Sequence, residues 1–151
     1  MAVRQYATFE VDGQYFGVDV ARVQEVFRHH DRTPVPLAPP TVAGLINLRG
    51  EVIPAIDVRI RMGLPRRTDG DPMNVVVRDG DEVVSLLVDT IGDVAEADDA
   101  AVEPPPTTIT GPARDLILGA IPQEGRLLLL LDVSRAVDVN AGDGSREDAL
   151  A

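Results

Sequence analysis

Three short stretches carry the side chains that most often perform chemistry in proteins. His29-His30-Asp31 holds both histidines of the chain and offers metal ligands or a general base. Adjacent residues of an extended segment point to opposite sides, so two neighbouring imidazoles do not readily share one ion. Asp69-Gly70-Asp71 and Asp79-Gly80-Asp81-Glu82 resemble fragments of calcium loops but lack the spaced ligands of a complete loop, so we interpret both as turns.

Other catalytic arrangements are missing from the sequence. The chain has no cysteine nucleophile, no Ser-His-Asp set in a credible context and no glycine-rich phosphate loop between a strand and a helix. Its carboxylates cluster in turns and at the C-terminal end, where solvated acids are common. The sequence therefore predicts a binding module, with no enzymatic activity, no cofactor and no metal.

A different kind of candidate is Arg49, within the stretch Gly44–Asp57. Two apolar runs flank a polar interruption from Asn47 to Glu51, which predicts a largely buried hairpin that turns at Gly50. A guanidinium at the tip of such a hairpin is not needed for packing. It is either a solvated turn charge or a group that contacts a partner.

Composition and net charge limit the kinds of partner that the protein can bind. The chain has 151 residues and a net charge of −11, which argues against binding nucleic acid or an anionic membrane surface. The longest apolar run, Leu127–Leu131, is too short to span a bilayer, and the N-terminus lacks the pattern of a secretion signal. We therefore expect a cytoplasmic protein without direct membrane insertion.

About nine short strands, separated by turn signals such as Asp12-Gly13 and Asp79-Gly80, predict an all-β barrel or sandwich with short helices. Asp19 is predicted to cap a first helix that runs to Phe27. Three strand ends share the order apolar residue, aspartate, valine, with an arginine following; the aspartates are Asp19, Asp57 and Asp132. This repetition indicates either duplicated small barrels or the common use of aspartate where a strand meets a helix.

Arg49 needs an anionic partner, and Glu25 lies on the polar face of the predicted first helix. We expect the two side chains to approach within salt-bridge distance. An exposed pair of this kind contributes only about 0–1 kcal/mol to stability, so its purpose would be to orient the surface.

Taken together, the central stretch resembles the signature of the CheW family, the adaptor proteins of bacterial chemotaxis arrays. The matching residues are Gly44, Asn47, Arg49, Gly50, Pro54 and Asp57. The resemblance extends from about Gln5 to Val139. It implies one domain over residues 5–139, made of two packed five-stranded SH3-like β-barrel lobes, followed by a disordered acidic tail over residues 140–151.

The resemblance also implies a function without catalysis. CheW-like proteins couple the cytoplasmic helical tips of chemoreceptors (methyl-accepting chemotaxis proteins) to the regulatory domain of the histidine kinase CheA. An apolar cleft between the lobes would take a receptor helix, and barrel edges would pair with the kinase domain. The partner-binding residues implied by position are Val23, Glu25, Gly44, Arg49, Val75, Ser85 and Ile91.

Two further hypotheses stay open at this stage. One is that the chain is the adaptor of a chemotaxis-like pathway for twitching motility or another output. Alternatively, it is a small metal-binding hydrolase that uses His29, His30 and Asp31. An apolar surplus at Val23, Val42 and Ile91 marks either an exposed partner patch or the seam between the two lobes.

Overall fold

The computed structural model describes residues 2–67 and 69–138. Predictions about Val139 and the tail from residue 140 onward lie outside the described residues. Within those residues, no helix is long and apolar enough to cross a membrane.

In the part of the chain that the structure describes, eleven strands form two mixed sheets. The first sheet has six strands in the order β10-β11-β2-β1-β8, with β9 also paired to β1, and the second has five in the order β3-β6-β7-β5-β4. The strands are β1 Val3–Val11, β2 Gln14–Asp19, β3 Val23–Phe27, β4 Val42–Leu48, β5 Glu51–Asp57, β6 Met73–Asp79, β7 Glu82–Val88, β8 Thr90–Ile91, β9 Ala95–Asp98, β10 Ile117–Gln123 and β11 Arg126–Leu131. The helices are α1 Val58–Arg61, α2 Pro112–Asp115 and α3 Val133–Val137. We refer to the two sheets, with the helices that follow their strands, as the first lobe and the second lobe.

The two sheets are built alike. In each, two antiparallel hairpins are joined through one parallel pair, β11 with β2 in the first sheet and β5 with β7 in the second. The two-lobed β fold expected from the sequence is therefore confirmed, with one sheet a strand larger than predicted. Pro54, which cannot donate to a neighbour, lies just before the segment of β5 that pairs with β7.

Aspartates cap the turns that follow three strands, as the sequence predicted. Asp57 accepts the amide hydrogens of Arg59 and Ile60 at the start of α1, and Asp132 accepts that of Arg135 in α3. Each such cap stabilises by about 1 kcal/mol. These helices supply apolar residues to the core between the lobes, so the caps fix the elements that join the lobes.

The buried apolar residues of the described ranges form three clusters. The largest contains residues from both sheets and from α1 and α3, and it joins the lobes. A second lies within the second lobe around Ile46, Ile53 and Val76, and a third lies within the first lobe around Tyr6 and Leu128. Because β1 contributes to two of these clusters, Tyr6 and Thr8 are buried along with Phe9, and both faces of this part of the strand are covered.

The prediction of a first helix that runs to Phe27 is wrong. Asp19 does cap a turn, but only the 3₁₀ turn Val20–Arg22 follows, and Val23–Phe27 continues as strand β3 beside β6. Val20, Val23, Val26 and Phe27 fit a 3.6-residue period, yet valine and phenylalanine favour strands. Val23, Glu25 and Phe27 are half-buried while Gln24 and Val26 are exposed, which is the two-residue period of a strand.

The connecting segments contain several short turns. Residues 39–41 form a hydrogen-bonded turn that leads directly into β4, so Gly44 lies inside a strand. The segment from Ile91 to Glu96 is divided between β8 and β9. Residues 97–108 contain the 3₁₀ turn Asp99–Ala101.

Candidate functional site

Arg49 and Glu25 form a bidentate ion pair on the surface of the second lobe. Arg49 Nη2 lies 2.7 Å from Glu25 Oε2, and Nη1 lies 2.9 Å from the same oxygen. Both guanidinium nitrogens also reach Oε1, at 3.2 and 2.8 Å. The predicted approach of these side chains is confirmed, although Glu25 stands on a strand and not on a helix. The Arg49 side chain is still 67% exposed, so its outer edge can reach a partner.

The turn that presents Arg49 has an unusual backbone. Arg49 and Gly50 have φ values of +52° and +88°, the pattern of a two-residue hairpin turn that favours Asn-Gly. The side chain of Asn47 accepts the Gly50 amide hydrogen at 2.9 Å and supports the turn. A left-handed arginine costs about 1–2 kcal/mol, so stability alone does not explain this residue at the tip.

The ion pair joins the two edges of one sheet. β3 and β4 are the outermost strands of the second sheet, yet Glu25 on β3 meets Arg49 at the end of β4. Thr33, beyond β3, also exchanges two backbone hydrogen bonds with Leu45 of β4, at 2.8 and 2.9 Å. The sheet is therefore strongly curled, and this curl positions residues 24 apart in the chain as one surface.

Three of the other candidate residues are buried. Gly44, Val75 and Ser85 have no side-chain access to a partner in this conformation. Ser85 Oγ donates to Asn74 Oδ1 at 2.9 Å, and Asn74 Nδ2 donates to the Arg28 carbonyl, which lies on the segment after β3. These residues can shape the surface from beneath but cannot form it.

Val23, Val42 and Ile91 are half-buried and pack against the core between the lobes. The apolar surplus noticed in the sequence is thus largely the seam of the two lobes. Val23 and Ile91 keep partial exposure at the rim of that seam, where a partner can still contact them.

A groove lies between the lobes, where the family resemblance implies an apolar cleft. It has a volume of about 290 Å³ and is bordered by Phe16 and Leu129 from the first lobe, Met62 and Leu64 from the second, and Ile109 and Ala113 from the segment before β10. Phe16, Met62 and Leu129 are almost fully buried and form its floor. Its walls come from distant parts of the chain, so no local sequence pattern announces it. None of the seven candidate residues lines it.

The histidine segment is arranged differently from a metal centre. His29 Nε2 lies 3.3 Å from Asp31 Oδ1, whereas His30 Nδ1 faces the Asp31 carbonyl and its ring lies against Phe27. Among the residues that the structure describes, no three His, Cys, Asp or Glu side chains are grouped so as to hold a metal ion. His29 Nδ1 also lies 3.8 Å from Asp71 Oδ1.

A two-lobed β protein with an arginine-bearing turn and an apolar groove has the features of a protein-binding scaffold. Comparison with known proteins agrees. The CheW-like domain profile matches residues 5–140. The chain is 32% identical over 136 residues to the chemotaxis protein CheW of Treponema pallidum, covering 87% of this chain and 80% of that protein. It is also 32% identical over 132 residues to CheW of Rhizobium meliloti, covering 86% and 84%.

A solved structure gives the same answer. The scaffolding protein TtCheW from Thermoanaerobacter tengcongensis superimposes with a TM-score of 0.81 at 27% identity, covering 93% of this chain and 92% of that one. The chain belongs to the CheW family. It is a non-enzymatic coupling scaffold of chemotaxis signalling, and no finding favours the twitching-motility or hydrolase alternatives.

Proposed function

We propose that residues 5–139 act as one domain that bridges the cytoplasmic helical tip of a chemoreceptor and the regulatory domain of the histidine kinase CheA. The observation that carries this proposal is Arg49, held at an exposed turn by a bidentate ion pair with Glu25. A strained, exposed arginine with a fixed orientation suits recognition of another protein. The site of action is the cytoplasm, at the membrane receptor arrays.

The candidate residues divide into two roles. Val23, Glu25, Arg49 and Ile91, which are at least partly exposed, contact the partners directly. Gly44, Val75 and Ser85 act from below, by fixing the backbone on which the contact residues stand. Substitutions in the second group would therefore weaken binding only as far as they disturb the fold.

The groove between the lobes takes apolar side chains of the receptor helix. Its floor of Phe16, Met62 and Leu129 offers the apolar surface that one face of an amphipathic helix seeks. The outer strands of the two sheets pair with the kinase domain. Each single interface is expected to be modest in area and transient. Assembly into an array strengthens the binding through multivalency.

The test is co-sedimentation with a receptor cytoplasmic fragment and with CheA, using wild type, Arg49→His and Arg49→Asn. We expect wild type to sediment with both partners and the two variants to lose binding by about tenfold or more, because a charge-assisted contact disappears. Asn tolerates the left-handed turn, so the free energy of unfolding of Arg49→Asn should stay within about 1 kcal/mol of wild type.

The swapped variant Glu25→Arg/Arg49→Glu separates recognition from support of the turn. It keeps opposite charges at the two positions but removes the cation from position 49. Binding that stays lost in the swap supports direct recognition of Arg49. Full binding by the swap, or by Arg49→Asn, would refute it.

A further inference from the structure

An arginine-lined pocket lies at the end of the second sheet, apart from the Glu25–Arg49 surface. Four guanidiniums border it, belonging to Arg32, Arg59, Arg66 and Arg67. They come from three places in the chain: the segment after β3, helix α1, and the connection from α1 to β6. Such a gathering is unexpected in a chain with a net charge of −11, because like charges repel and surface arginines need no common location.

Only part of this positive charge is neutralised. Arg59 is paired with Asp89 at 2.7 Å, and Arg67 donates to the Asp89 carbonyl and lies 3.7 Å from Asp69. Within the described part of the chain, Arg32 and Arg66 have no carboxylate within salt-bridge distance; Arg66 donates only to the Pro40 carbonyl.

Arg32 supplies the observation that points to a ligand. Its Nη1 is buried and has no hydrogen-bond partner, one of three such side-chain atoms in the described residues. A second is Thr41 Oγ1, on the residue whose carbonyl accepts the Asp57 amide hydrogen at the border of the pocket. A buried guanidinium donor without a partner costs free energy. Because Nη1 is closed to solvent, an anion in the pocket recovers this cost only when the Arg32 side chain turns to open the nitrogen toward it.

Size and charge define the anion. The pocket has a volume of about 100 Å³, which is below the range of about 300–1,000 Å³ typical of sites for whole organic ligands. Asp89 and Asp12 lie within 4 Å of Arg59, and Asp69 lies 3.7 Å from Arg67. Among the described residues, Arg32 and Arg66 are therefore the two cations of the border without a carboxylate beside them. A phosphate group carries about −1.5 to −2 charges at neutral pH and accepts bidentate guanidinium contacts.

We propose that this pocket binds a phosphate group, either as inorganic phosphate or as the phosphoryl end of a small phosphomonoester. The guanidiniums of Arg32 and Arg66 are the principal donors, while Arg59 and Arg67 stay engaged with Asp89 and add charge. Through Arg59 and Asp89 the pocket contacts Asp12 of the first lobe, since Asp89 Oδ2 accepts the Asp12 amide hydrogen at 2.8 Å. A bound phosphate therefore lies beside a junction of the two lobes.

The experiment is titration of the full chain by calorimetry and by amide chemical shifts, with inorganic phosphate, glucose 6-phosphate, and acetate or chloride at matched ionic strength. We expect phosphate to bind in the millimolar range or tighter, with shifts confined to residues around Arg32, Arg66 and Asp89. Tighter binding of the ester assigns the site to a phosphomonoester, and equal or weaker binding assigns it to inorganic phosphate.

Matched variants test which arginines donate hydrogen bonds to the phosphate. Arg32→Gln and Arg66→Gln should each weaken phosphate binding by about tenfold or more, whereas Arg78→Gln, an exposed arginine on β6, should leave it unchanged. Arg66 is exposed, so its variant retains the fold even if Arg32→Gln does not. The proposal is overturned if acetate or chloride produces the same shifts, if Arg78→Gln weakens binding equally, or if phosphate produces no saturable change.

Discussion

Gly44→Ala should lower the free energy of unfolding by about 3 kcal/mol or more. Gly44 has a φ of +153°, where a side chain is strained, and a Cβ would stand 2.8 Å from the Thr33 carbonyl oxygen. That oxygen accepts the Leu45 amide hydrogen in the bridge that ties the segment after β3 to β4. The methyl group must therefore push apart the backbone that curls the second sheet. Urea unfolding monitored by circular dichroism measures the loss.

Gly50→Ala is the matched control in the same hairpin. Gly50 also has a positive φ, +88°, but a Cβ there would meet nothing within 4 Å. Only the backbone term applies, so the expected loss is about 1 kcal/mol. Equal losses in the two variants would show that the close approach to Thr33 contributes nothing. The result would also bear on the role of Gly44, which we assign to contact within the chain and not to a partner.

Asp89→Asn should destabilise the protein by about 2–3 kcal/mol at neutral pH. Asp89 accepts hydrogen bonds from Arg59 Nε and Nη2, at 2.9 and 2.7 Å, and from the Asp12 amide. The side chains of Arg59 and Asp89 are only 18% and 15% exposed. An asparagine has one acceptor oxygen for these three donors, so a nearly buried guanidinium would lose its counter-charge at a junction of the lobes.

The same contact predicts a dependence on pH. Burial alone would raise the pKa of Asp89, but the Arg59 hydrogen bonds, the Asp12 amide and the charges of Arg59 and Arg67 outweigh it and hold the pKa below its usual value. A lowered folded-state pKa stabilises the fold above the unfolded pKa of about 3.9, and the effect is lost as pH falls through the folded value. The stability difference between wild type and Asp89→Asn should therefore be full at neutral pH and shrink below about pH 4.

Urea unfolding from neutral pH down to about pH 3 measures that difference. Asp81→Asn, in the exposed β6–β7 turn, is the control and should change stability by less than about 0.5 kcal/mol. A difference for Asp89→Asn that stays constant with pH, or that equals the control, would contradict the account of this link.

Much of the fold could be predicted because its signals are local. Asp-Gly turns marked the hairpins, and Asp57 and Asp132 marked helix starts, since each depends on a few neighbouring residues. The segment from Val20 to Phe27 failed because its apolar spacing fits a helix and a strand alike. The segment forms a strand because it pairs with β6, where Val23 lies opposite Val77. Residues next to Val23 in the sequence do not indicate this distant partner.

The candidate site likewise has a part that could be predicted from the sequence and parts that depend on the tertiary fold. The Glu25–Arg49 pair was predicted from the need of an exposed guanidinium for an anion, and it survives although the element that carries Glu25 was wrong. The cleft between the lobes was expected only through the family resemblance. The residues that border it, and the arginine pocket as a whole, were missed because they come from segments such as residues 62–64 and 109–117, or 32 and 66–67, which only the tertiary fold brings together.

The central claim is that this chain couples two other proteins and performs no chemistry itself. The most direct measurement is the sedimentation of CheA with receptor-containing membranes, with and without the protein. The account predicts that the kinase enters the pellet when wild-type protein is added and stays in the supernatant when it is omitted or replaced by Arg49→His. Kinase that sediments to the same extent in all three cases would contradict it.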